Sequence, residues 1–251
     1  SPLVPVAVGV VSLALFILRQ TRLAPKGIAL LDLRTFSSST FALSIVMIAI
    51  SMVALFGTLI ILPIYMQSVL GLSTLDTGLL LLPGGVVMGV LAPFVGRLYD
   101  RIGPTPLLLV GSVLTSAALW IMTMVLHEGT PAFVIPLVHV LLSVGLAFTF
   151  TPLFTASLGS VRPDLYSHGS AILGTTQQVA GGIGTALFVT LLSTGAATHL
   201  RDGADQVSAT AAGVQTAFLT GAIISLFAIA ASFFVRRPPV FEGSPQVTVG
   251  H

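Results

Sequence analysis

Gly96-Arg97-Leu98-Tyr99-Asp100-Arg101-Ile102-Gly103-Pro104 separates two long apolar runs, 77–95 and 105–126. It puts three charges into five residues where the flanking sequence has none. Each run is close to the roughly 20 apolar residues that cross a bilayer core. The stretch therefore reads as a tight charged hairpin between two membrane-spanning helices. Gly96 and Gly103 suit a turn in which a Cβ would clash. Pro104 suits the first turn of the following helix. Asp100, just ahead of that helix, would meet the positive end of its dipole. Arg97 and Arg101 can pair with Asp100 or with anionic headgroups. A charged turn that only holds topology would carry the same residues.

The rest of the composition agrees with membrane residence. Of 251 residues, 55% are hydrophobic and 7% charged, and the mean hydropathy is +1.05. Soluble domains carry about 25% charged residues, so this chain cannot cover a water-facing surface. Cysteine is absent, which removes disulfides, thiolate metal sites and cysteine nucleophiles. The chain starts at Ser1 with no basic region ahead of its first apolar run. That start is unlike a signal peptide and resembles a cut through a longer polypeptide.

Apolar runs bounded by charged or Gly/Pro-rich breaks predict seven helices. They cover about 2–18, 41–63, 77–95, 105–126, 131–154, 167–194 and 213–235. The connection 19–40 includes an interfacial amphipathic piece at 27–33. A polar tail, 236–251, is expected to be disordered. Alternate connections test the layout. The set 19–40, 96–104, 159–166 and 236–251 holds nine of the ten basic residues, and the opposite set holds only Arg201. The basic set is predicted to be cytoplasmic, which puts the carboxyl terminus inside.

All eight acids fall outside the predicted spans. Intramembrane acids are the usual proton relays of pumps, so this segment offers no such carboxylate. A retinal protein would need an intramembrane lysine, and the single lysine, Lys26, lies in a connection. No phosphate-binding loop, metal cluster or Ser/His/Asp arrangement is legible; no enzyme, cofactor, metal or nucleic-acid function is expected. Helices two to four and five to seven form two triplets of opposite topology, as in inverted-repeat transporters.

Gly96-x-Leu98-x-Asp100-Arg101-x-Gly103 resembles the loop motif of the Major Facilitator Superfamily. There the motif joins the second and third helices of each half, its position here. The usual basic pair after the last glycine is replaced by Pro104 and Thr105, as in weaker carboxyl-terminal copies. Three further stretches are similar to the fourteen-helix drug:proton antiporters: Leu82-Pro83-Gly84-Gly85, Gly174-Thr175-Thr176-Gln177-Gln178-Val179-Ala180-Gly181-Gly182, and the connection ending Leu30-Leu31-Asp32-Leu33-Arg34-Thr35-Phe36. The resemblance implies an all-α membrane protein: one linker helix, then a six-helix bundle of two inverted three-helix repeats. It implies three regions: 1–40, linker helix and cytoplasmic connection; 41–235, carboxyl-terminal bundle; 236–251, cytoplasmic tail. The implied function is proton-coupled export of hydrophobic drugs across the cell membrane by alternating access. The implied partners are the lipid bilayer, a small lipophilic substrate, protons and an amino-terminal bundle outside this chain. Export of an endogenous metabolite or antibiotic, or a non-transporting scaffold or sensor, would suit the same scaffold. Gly96, Arg97, Asp100, Arg101 and Gly103 are the candidate conformational switch.

In such a fold the first two helices of each triplet line the central cavity. Ser44, Ser51, Thr58 and Tyr65 recur every seven residues, nearly two turns, and make one stripe. The stripe is either a cavity wall or a set of hydroxyls bonded within the bundle. Gln177 and Gln178 differ by about 100° on a helix. Gln178 shares a face with Gly182 and Thr185, which favours it for the cavity. His139 is the titratable group well inside a span; a bond to Ser143 one turn on is the structural alternative to a proton or substrate role. Phe56 and Phe148 are candidates for stacking on planar substrates. Trp120 reads as an interfacial anchor.

Overall fold

The computed structural model describes residues 3–23 and 31–238, and it is all-helical among them. The elements are α1 (Leu3–Leu23), α2 (Ser39–Ser68), α3 (Thr74–Ile102), α4 (Pro104–Val125), α5 (Val134–Gly159), α6 (Tyr166–Arg201) and α7 (Gln206–Ser232). Short 3-10 turns, Leu33–Ser37 and Pro163–Leu165, precede α2 and α6. Lys26, most of the proposed amphipathic piece at 27–33 and the tail from 239 lie outside the described residues.

Local chemistry sets the helix starts. Ser38 Oγ accepts the Phe41 N–H at the head of α2. Ser73 Oγ accepts the Asp76 N–H and donates to the Asp76 carboxylate at 2.6 Å, so α3 opens on a reciprocal cap. Asp205 accepts the Val207 N–H at the start of α7. Pro63, Pro83, Pro93 and Pro152 all lie inside helices. Apolar surroundings leave the backbone no better partner than its own ladder, so the helices run through them.

Six of the helices, α2 to α7, are long and apolar enough to cross a membrane. α2 and α5 pack against each other at the centre, and α4 and α7 pack together on one side. α3 lies along α5 as α6 lies along α2. Exchanging α2 with α5, α3 with α6 and α4 with α7 preserves these pairings, as in inverted three-helix repeats, although the close packing of α6 on α7 has no counterpart between α3 and α4. The continuous core contains Met47, Ile61, Leu119, Leu146, Phe188 and Phe218. α3 and α6 bury the smallest shares of their apolar windows and carry the widest open faces. Trp120 is half-buried, with part of its ring packed against the core.

The expected charged hairpin is mostly helix. α3 continues through Gly96 to Ile102, and only Gly103 breaks the chain before α4. A helix satisfies its own backbone and need not stop where the apolar run stops. Gly103 has φ +81°, and its N–H donates to the Tyr99 carbonyl at 2.8 Å. Gly96 therefore makes no turn. Asp100 sits in the last turn of α3 and not at the head of α4, whose cap position is Gly103.

The first residues after α7 are also better ordered than the sequence suggests. The Val235 carbonyl accepts the Thr105 hydroxyl at 2.6 Å. Arg237 Nη2 donates to the Arg101 carbonyl at 3.0 Å. The chain beyond α7 thus straps the α3–α4 junction.

Candidate substrate groove

α2 and α6 run side by side and approach closely. A Cβ at Gly184 would lie 2.7 Å from the Val53 backbone, so only glycine permits this spacing. One turn along, Gly181 lies against the Phe56 ring; a Cβ there would be 3.0 Å from it. This contact opens into a groove of about 500 Å³ lined by Phe56, Gln178, Gly182, Thr185 and Thr190. The volume is in the range of small-molecule sites. The Gln178 amide is exposed and has no hydrogen-bond partner among the described residues. Its neighbour Gln177 is half-buried, and Nε2 donates to the Leu173 carbonyl at 3.4 Å. Gln178 thus lines the groove with Gly182 and Thr185, while Gln177 bonds back to its own helix.

The remaining sequence candidates are not brought to this groove. The seven-residue stripe on α2 points into the bundle. Ser44, Ser51, Thr58 and Tyr65 are all buried, and the Ser44 and Thr58 hydroxyls have no hydrogen-bond partner. The Tyr65 hydroxyl donates to the His127 carbonyl at 2.7 Å and ties α2 to the α4–α5 connection. Of the four hydroxyls, only that of Tyr65 makes a hydrogen bond within the bundle among the described residues. Phe148 is half-buried on α5, away from Phe56 in the α2–α6 groove.

His139 is 7% exposed and lies against Gly84 of α3, where a Cβ would be 2.3 Å from Nδ1. The Ser143 hydroxyl donates to the His139 backbone carbonyl at 2.8 Å and not to its ring. Nδ1 has no hydrogen-bond partner among the described residues.

At the far end of α3, Arg97 lies over the Phe94 ring, 4.8 Å from its centroid. Phe94, Arg97, Leu98 and Arg101 line a recess of about 270 Å³. Asp100 is exposed and makes no ion pair among the described residues.

A polar belt crosses the same end of the bundle. Arg34 Nε donates to both carboxylate oxygens of Asp32, at 3.0 and 2.9 Å, and Nη2 to Oδ2 at 2.5 Å. Asp32 is buried, and these bonds hold its carboxyl below the usual carboxylate range despite the opposing effect of burial. Arg162 pairs with Asp164 in the α5–α6 connection, and that bond likewise lowers the Asp164 carboxyl. Leu31 packs on the cluster of Phe41, Val161, Leu165 and Ile172, so the linker docks on that connection. Both ion pairs have opposite charges two residues apart, a signal visible in the sequence but not singled out above. The strap residue Arg237 had no such signal.

Comparison with known proteins places this architecture. The model of the Major Facilitator Superfamily matches residues 2–185. The chain is 37% identical over 240 residues to lincomycin resistance protein LmrB of Listeria monocytogenes, covering 94% of this chain and 50% of that protein. It is 34% identical over 244 residues to the Bacillus subtilis protein of the same name, covering 95% and 50%. A multidrug resistance protein B homolog of Mycobacterium tuberculosis is 30% identical over 165 residues, 65% of this chain and 31% of that protein. The chain spans about half the length of the LmrB relatives it matches. The family's members are transporters rather than enzymes. The chain belongs to the Major Facilitator Superfamily.

Proposed function

We propose that this chain is the carboxyl-terminal half of a proton-coupled exporter of lipophilic drugs that works by alternating access. The observation that carries the reading is the α2–α6 groove. It sets a half-buried aromatic ring, Phe56, beside one free amide, Gln178, and the hydroxyl-bearing Thr185 and Thr190. A mainly apolar site with a few polar groups accepts varied lipophilic molecules and orients them weakly. The names of the relatives support a drug as cargo.

Residues 1–40 would form the linker helix and its connection, 41–235 the bundle, and 236–251 the tail. The connections rich in arginine would face the cytoplasm. A complementary amino-terminal bundle would complete the cavity. It would also supply the proton carriers, because the acids on the described helices, Asp76 and Asp100, sit in end turns of α3. Arg97, Asp100 and Arg101 would bias the inward and outward states from the end of α3.

The test is drug-driven proton flux in liposomes holding the full-length transporter. Phe56→Ala and Gln178→Leu should each weaken apparent drug affinity about 2- to 10-fold, the range of one lost contact or hydrogen bond. Unchanged affinity in both variants would exclude this groove as the binding surface. Liposomes holding this chain alone should show no drug-dependent flux.

A further inference from the structure

At mid-span, α2, α4, α5 and α7 enclose a small cavity of about 10 Å³, the space of a single water molecule. Its polar lining is five hydroxyls: Ser51 of α2, Ser112 and Thr115 of α4, Thr149 of α5 and Ser225 of α7. All five residues are buried. Three of the hydroxyls already spend their protons. Ser112 donates to the Leu109 carbonyl at 3.1 Å and Thr149 to the Gly145 carbonyl at 2.8 Å. Ser225 Oγ lies 2.6 Å from the Ala222 carbonyl and 2.8 Å from Ser116 Oγ. These three oxygens keep lone pairs free to accept. The other two are different. Thr115 Oγ1 is buried with no hydrogen-bond partner, and Ser51 Oγ has none among the described residues.

We infer that this cavity is a binding site for one water molecule that bridges the two three-helix repeats. The water accepts hydrogen bonds from Ser51 and Thr115 and donates to two of the Ser112, Thr149 and Ser225 oxygens. Each member of the set then has a partner, which a buried hydroxyl in apolar surroundings requires. α2 and α4 belong to one repeat, α5 and α7 to the other, so the water joins the repeats. The site takes a neutral ligand, because no carboxylate lines it and a cation there would be uncompensated.

The experiment compares thermal unfolding of the intact protein with Thr115→Val, Ser51→Ala and the double variant. A bridging water predicts that each single change lowers the midpoint by about 2–4 °C. The double change should cost little more than the larger single one, because the same water is lost once. Thr115→Ser, which keeps the hydroxyl, should retain the coupling to Ser51. A dry cavity predicts the opposite sign, since Thr115→Val then removes an orphan hydroxyl and raises the midpoint. That rise, or simple additivity of the two changes, overturns the inference. A midpoint higher in sodium than in choline salt would assign a cation and overturn it as well. Should Thr115→Val fail to accumulate, a density map at water-resolving resolution decides. An oxygen within hydrogen-bond reach of Ser51 and Thr115 upholds the site, and its absence refutes it.

Discussion

Gly84 of α3 lies directly beneath the imidazole of His139 on α5, and a Cβ at 84 would stand 2.3 Å from Nδ1. The ring is fixed by packing on bare backbone and not by its neighbour Ser143. Gly84→Ala should therefore destabilise the bundle by about 1–3 kcal/mol, the usual cost of overpacking. His139→Ala in the same molecule should recover part of that loss, because Ser143 Oγ would still stand 2.7 Å from the new Cβ. Thermal midpoints of the two single variants and the pair give the coupling. Independent effects would show that the ring can move aside.

The α2–α6 seam offers a contrast within one helix. A Cβ at Gly184 meets the Val53 backbone at 2.7 Å, while one at Gly182 meets nothing within 4 Å. Gly184→Ala should cost about 1–3 kcal/mol. Gly182→Ala should leave stability unchanged or slightly raised, because alanine is the better helix former. Denaturation of the two variants side by side checks this.

Asp100→Asn tests charge at the end of α3. Asp100 is exposed and unpaired among the described residues, so stability should stay within about 0.5 kcal/mol of the parent. Export by the full-length transporter should nonetheless fall. Unchanged export would remove Asp100 from the proposed switch.

Acid should remove the stabilisation that the Asp32–Arg34 pair gives the linker. The Asp32 carboxyl is held low by Arg34, so its contribution to stability is fully present above its unfolded value, about 3.9. It is lost as pH falls through the lowered folded value. The stability gap between the parent and Asp32→Asn should be constant above about pH 5 and close below about pH 4. Unfolding midpoints across that range measure it.

Hydropathy made six spans, their order and their inverted pairing legible, because apolar length is a direct physical requirement of the bilayer. Helical spacing alone also sets Gln178 beside Gly182 and Thr185, and all three line the α2–α6 groove. The α2 stripe was not. A periodic run of hydroxyls states that one face is polar, but not whether that face meets a cavity or neighbouring helices. The end of α3 misled for another reason. Gly96 and the arginines look like loop residues, yet a helix projecting past the hydrocarbon keeps its ladder and lets charged side chains reach water. Arg237 lies 136 positions from Arg101, and no local pattern reports a contact over that distance.

That separation gives the strap a place in time. Ribosomes add about 5–20 residues per second, so the 136 residues between Arg101 and Arg237 take roughly 7–27 s to make. Throughout that interval the α3–α4 corner exists without its clamp. A contact made late in the bundle's synthesis closes a corner made much earlier, and that corner is clamped only once the chain has returned to it.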